Sequence, residues 1–104
     1  MNPPIVTSAV LAGAIRNVPD FPQPGIQFKD ITPVLADARL LAGAIDLMTD
    51  GLAPGAVDMV VGIDARGFIF AAAAALKLRA GFVPVRKKGK LPYQTIEQSY
   101  DLEY

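Results

Sequence analysis

Two kinds of apolar patterning alternate along this chain. Leu40, Leu41, Ala44, Ile45, Leu47 and Met48 recur at helical spacing, which predicts a helix over 35–52 with Asp37 as its N-cap and Arg39 on its outer face. Gly51 and Pro54-Gly55 stop it. Residues 6–15, rich in Ala, Leu and Val with Ser8 near their start, predict a shorter helix before Arg16. Further on the pattern changes to compact β-branched runs. Residues 57–63 read as a buried strand, 67–78 as a buried helix and 82–86 as a second buried strand. Strand, helix, strand is the parallel crossover unit, whose connection is almost always right-handed.

The segments between these elements carry breakers. Residues 17–25 hold three prolines and a glycine, so a long loop without regular structure is expected there, followed by a short extended piece at 26–28. Residues 91–100 are polar and interrupted and read as a mobile loop, after which 100–104 alternate as a strand would. No internal repeat is present, and the one biased segment is the alanine run Ala71 to Ala75. An N-terminal helix and extended segment over 1–35, followed by an α/β core over 36–104, is the expected organisation.

Composition narrows the chemistry. Of the 104 residues 52% are apolar, enough for the core of one small domain. Ten basic and ten acidic residues cancel, which argues against a bulk nucleic-acid partner. Without cysteine there is no disulfide or thiolate chemistry, and a reducing cytoplasm fits. Without histidine, proton transfer falls to a carboxylate, a lysine, a tyrosine or the substrate itself, and an ordinary zinc site is hard to build. No Lys or Arg precedes the N-terminal apolar run, unlike a secretory signal, and the apolar run 67–76 is too short to span a bilayer; a soluble chain is expected.

The charges are unevenly placed. Six of the ten cations are Lys77, Arg79, Arg86, Lys87, Lys88 and Lys90. Asp64-Ala65-Arg66-Gly67 lies at the carboxyl end of a predicted strand and opens a predicted helix, where an open α/β sheet binds ligands and where helix amides meet anions. Ala65 and Gly67 allow close backbone approach, and the Arg66 guanidinium suits phosphate oxygens. The plainer alternative is a turn in which Asp64 caps the helix and Arg66 is solvated. Arg86-Lys87-Lys88-Gly89-Lys90 follows the next strand, either as a second phosphate-binding turn or as a solvated basic surface. Phe21 and Phe28, among prolines, either pack a small core or shape a flat slot for an aromatic base, whose edge backbone groups near Gln27 and Lys29 would read. Glu103, between Leu102 and Tyr104, is by itself an ordinary terminal acid.

Four ordered blocks then resemble one family: 15–22 with 24–35, Gly62-Ile63-Asp64-Ala65-Arg66-Gly67-Phe68, Arg86-Lys87-Lys88-Gly89-Lys90-Leu91-Pro92, and Ser99-Tyr100-Asp101-Leu102-Glu103-Tyr104. Together they are similar to adenine phosphoribosyltransferases of the type I phosphoribosyltransferase kind. The resemblance implies a doubly wound parallel α/β sheet with an N-terminal hood, which identifies 1–35 as the hood segment and 36–104 as a partial core. It implies transfer of phosphoribosyl from phosphoribosyl pyrophosphate to adenine, giving AMP and pyrophosphate with Mg2+, in a cytoplasmic homodimer. By resemblance, Gln27, Phe28 and Lys29 line the adenine pocket, with Phe28 stacked on the ring. Asp64, Ala65 and Arg66 form the pyrophosphate loop, Arg86 and Lys90 contact the same side, and Glu103 with Tyr104 belongs to a catalytic flexible loop. Lys29 stands where many members have arginine, a change of little consequence for a backbone contact. The family's Thr-Gly-Gly-Thr-like cradle for the ribose 5-phosphate is absent from the sequence, so the doubly wound sheet is expected to be incomplete and the chain inactive by itself. The rival expectations are a noncatalytic nucleotide-binding or regulatory module of the same fold, and an inactive fragment that pairs with another chain.

Overall fold

The computed structural model describes residues 5–91. In chain order these form α1 (Ser8–Ala14), β1 (Arg16–Pro19), β2 (Gln27–Asp30), α2 (Thr32–Leu35), α3 (Ala38–Met48), β3 (Met59–Ile63), α4 (Arg66–Leu78) and β4 (Gly81–Val85). They divide into two compact units, one ending at Asp50 and the other beginning at Gly51.

In the first unit β1 and β2 pair antiparallel, with Asn17 opposite Lys29 and Val18 opposite Phe28. This corrects the expectation of an irregular 17–25. Proline removes one N–H donor, which a two-stranded ribbon tolerates because each strand has an unpaired edge. Pro19 closes β1, while Pro22 and Pro24 fall in the connecting loop. That loop is tied at its base by the Phe21 N–H donating to the Ile26 carbonyl at 3.1 Å, and across its tip by the Gly25 N–H donating to Asp20 Oδ1 at 2.9 Å. The extended piece expected at 26–28 runs instead over Gln27–Asp30.

The helices of this unit begin where side chains supply caps. Thr7, the residue before Ser8, accepts the Val10 N–H at 3.2 Å and starts α1. Asp37 caps α3 as its sequence position predicts, Oδ1 accepting from the N–H groups of Arg39 and Leu40 at 2.9 and 3.0 Å. The helix expected over 35–52 is shorter, because the segment before the cap turns separately as α2. Gly43, Ala44 and Ile45 make the buried stripe of α3.

The second unit is the predicted crossover: β3 and β4 pair in parallel, Val61 opposite Val83 and Ile63 opposite Val85, with α4 packed on one face. Ala71, Ala74, Ala75 and Leu78 are buried, the spacing of a single helical stripe. Small side chains let α4 approach closely. A Cβ on Gly62 would lie 2.6 Å from Ala71 Cβ and 2.9 Å from the Gly67 carbonyl oxygen, so only glycine fits beneath the helix there. Phe82 meets Phe68 edge to face, centroids 5.6 Å apart. The two strands were expected to be buried throughout. They are covered on the α4 face only: the alternate residues Met59, Val61, Ile63, Val83 and Val85 are exposed, Val61 at 59%. Alternation by two places one set of side chains on each face, and α4 covers a single face.

Candidate anion and base site

The residues singled out in the sequence fall on two structures, one in each unit. In the second unit, parallel pairing brings the carboxyl ends of β3 and β4 to the same edge, and the Asp64 N–H extends the ladder by donating to the Val85 carbonyl at 2.9 Å. Asp64 and Ala65 form the turn, joined by a cis peptide, and Arg66 is the first residue of α4. The alternative in which Asp64 caps this helix does not hold: Ala65 is the N-cap, without a side-chain cap bond, and the Asp64 carboxylate turns elsewhere. The Asp64 carboxylate faces Arg86, Oδ2 lying 3.5 Å from Nε, with the Asp64 side chain 18% exposed and Arg86 36%.

Arg86 leaves the end of β4 and also turns back on its own loop. Its Nη1 donates to the Lys90 carbonyl at 3.4 Å, and the Lys90 N–H donates to the Lys87 carbonyl at 3.1 Å, closing a tight turn. Gly89 holds that turn with φ of +84°, where a side chain would be strained. Asp64, Arg86 and Lys90 are thus linked into one cluster, with Ala65, Arg66 and the start of α4 alongside in sequence. Three cations follow Arg86 within this turn region, Lys87, Lys88 and Lys90. A concentration of basic groups and helix N–H dipoles at one sheet edge is suited to a multiply charged anion.

In the first unit β2 carries Gln27, Phe28 and Lys29. Phe28 stacks edge to face on Phe21 with centroids 5.1 Å apart, so both readings of these rings, small core and aromatic surface, share one contact. Gln27 and Lys29 project from the opposite side, and there Asn17 joins them. Its Nδ2 donates to Gln27 Oε1 at 2.9 Å while its Oδ1 accepts from Lys29 Nζ at 2.9 Å. Sequence reasoning missed Asn17. The signal that finds it is cross-strand register, available only once 16–19 is known to be a strand. Beside this relay, Asp30 accepts the Thr32 N–H at 2.9 Å and the Thr32 hydroxyl at 2.8 Å, and faces Arg16 at 3.3 Å. The Thr32 backbone bond foremost, then its hydroxyl and the Arg16 charge, hold the Asp30 carboxyl below the usual carboxylate range.

Glu103 and Tyr104, the mobile loop expected over 91–100 beyond its first residue, and the strand expected at 100–104 lie outside the described residues.

No family model matches the chain. It is 56% identical over 102 residues to an adenine phosphoribosyltransferase of Acidothermus cellulolyticus, an alignment that takes in 98% of this chain and 58% of that protein. Over nearly its whole length the chain is similar to adenine phosphoribosyltransferases. It spans about half the length of the curated relatives it matches. Family structures agree with the fold described above: the adenine phosphoribosyltransferase of Rhodothermus marinus superposes with a TM-score of 0.82 at 58% identity, over 92% of this chain and 55% of that one. The enzyme of Giardia lamblia, solved with 9-deazaadenine, superposes at 0.87 and 36% identity, over 95% of this chain and 55% of its own. The open parallel sheet of β3 and β4 is therefore a part of the type I phosphoribosyltransferase fold. Among the described residues no helix is long and apolar enough to cross a membrane.

Proposed function

We propose that the full-length protein carries the phosphoribosyl group of phosphoribosyl pyrophosphate to adenine, releasing pyrophosphate and forming AMP, as a cytoplasmic homodimer in purine salvage. The observation that carries this reading is the Asp64, Arg86 and Lys90 cluster at the shared edge of β3 and β4, next to the start of α4, in a chain similar to this family. In the reaction the bond from the anomeric carbon to the pyrophosphate oxygen breaks and one to an adenine ring nitrogen forms, through a state resembling an oxocarbenium ion. The leaving pyrophosphate takes up negative charge, which the cations Arg66, Arg86 and Lys90 and the amides at Ala65 and Arg66 offset. Gln27, Phe28 and Lys29 provide the adenine side, Phe28 against the ring and the β2 backbone along its edge; that a structural relative, the Giardia lamblia enzyme, was solved with 9-deazaadenine supports a base as ligand.

Glu103 takes the proton that the attacking adenine nitrogen sheds, a task a carboxylate can perform. Tyr104 accompanies it at the substrate. Mg2+, bound together with phosphoribosyl pyrophosphate, would supply positive charge to its phosphate oxygens. Among the described residues no group of three or more potential ligands forms a cation site, and the carboxylate of the cluster, Asp64, is turned to Arg86, so no step is assigned to the ion.

Replacing Glu103 by Gln in the full-length protein tests the reading: turnover should fall on the order of 10² to 10⁴-fold while adenine binding changes little. Unchanged turnover removes Glu103 from the mechanism. A wild-type protein that binds adenine and phosphoribosyl pyrophosphate yet forms no AMP is instead a noncatalytic member of the fold.

A further inference from the structure

A carboxylate is an odd neighbour for an anion site, since it repels the ligand its cations attract. Asp64 is nevertheless held at the edge where those cations gather, its N–H bonded to Val85 and its Oδ2 3.5 Å from Arg86 Nε. The guanidinium is engaged at a second point, Nη1 on the Lys90 carbonyl. Because the group is planar with its donors in a fixed fork, contact at Nε and Nη1 sets the plane and the direction of every other donor. One contact comes from the turn after β3 and the other from the turn after β4, so the same side chain also ties the two turns together. Both partners are partly covered, which lessens screening by solvent.

We infer that Asp64 is a positioning residue: it acts on the pyrophosphate end of the substrate through Arg86, by aiming that guanidinium, and the benefit exceeds the repulsion its charge exerts on the ligand. The inference rests on the reading above, in which Arg86 faces pyrophosphate.

The two effects of Asp64 have opposite signs, and calorimetry with inorganic pyrophosphate on the full-length protein separates them. Asp64→Asn should weaken pyrophosphate binding about tenfold, although it removes a negative charge beside an anionic ligand. In an Arg86→Ala background the same replacement should no longer weaken binding, and should tighten it, because only the repulsion is left to remove. Tighter binding by Asp64→Asn with Arg86 present overturns the inference, and so does an equal loss in both backgrounds, which is what a merely structural role would produce. Arg86→Lys gives a second arm that does not depend on the Asp64 variant folding. It keeps the charge but has a single head that cannot span both contacts, so it should lose about as much as Asp64→Asn; wild-type affinity would count against the positioning role. Failure of the wild-type protein itself to bind pyrophosphate overturns the proposed function, and this inference with it.

Discussion

The chain contains two sheets of two strands each, and they are held in different ways. β1 and β2 are joined by a short loop and fastened by side chains along their length: Asp20 to Gly25 at the tip, Gln27 to Asn17 to Lys29 across the middle, Arg16 to Asp30 at the base. β3 and β4 are joined through α4 and fastened by contact beneath it, where Gly62, Ala71 and the Phe68 and Phe82 rings meet. The difference has a functional consequence. An antiparallel pair sends consecutive strand ends to opposite edges, whereas a parallel pair sends both carboxyl ends to one edge. Only the parallel sheet therefore brings two charged turns, one at Asp64 to Gly67 and one at Arg86 to Lys90, into a single cluster. The antiparallel sheet instead presents an aromatic surface on one side and a polar relay on the other.

This contrast breaks most visibly in ligand binding. Arg66→Ala should weaken pyrophosphate and phosphoribosyl pyrophosphate binding by the full-length protein about a hundredfold, the worth of a charge-assisted fork of hydrogen bonds. Adenine alone should bind almost as before. Equal calorimetric losses for both ligands would make Arg66 a structural residue of α4 and remove the division of labour between the two sheets.

Packing under α4 is the next most sensitive feature. Gly62→Ala should cost about 2 kcal/mol in urea unfolding, since its methyl meets the Ala71 methyl and the Gly67 backbone, neither of which can swing aside. An unaltered midpoint would show that α4 lies further from the sheet than described. In the first unit, local capping matters more than contact. Asp37→Ala should cost about 1 kcal/mol by releasing the N–H groups of Arg39 and Leu40, while Asp37→Asn should recover most of the loss.

The smallest effect concerns Asp30. Its carboxyl is held below the usual range when folded, so the stability it contributes is complete above that range and is lost as pH falls through the lowered folded value. The difference in thermal midpoint between wild type and Asp30→Ala should therefore be constant near neutrality and shrink in acid. A difference that grows on acidification would contradict the sign.

What could be read without a structure was local in origin. Asp37 caps α3 where the first apolar turn begins, and the order strand, helix, strand over β3, α4 and β4 follows from changes of period and from breakers within a few residues of each boundary. The turn chemistry at Asp64 to Gly67 and the basic run at Arg86 to Lys90 were visible for the same reason. The prolines around β1 pointed the other way, because a strand is stabilised by its partner, and which edge of Pro19 faces solvent depends on pairing with Gln27.

Residue composition and periodicity alone determined the α/β character and where the charged turns lie along the chain. The tertiary structure decided what those charges do to one another. Asp64 faces Arg86 rather than the first turn of α4, Asn17 bridges Gln27 and Lys29, and the β3 and β4 side chains are covered on one face only. Each of these depends on strand register and on which face a helix covers, and both are set by contacts between residues far apart in sequence, where neither periodicity nor capping carries information.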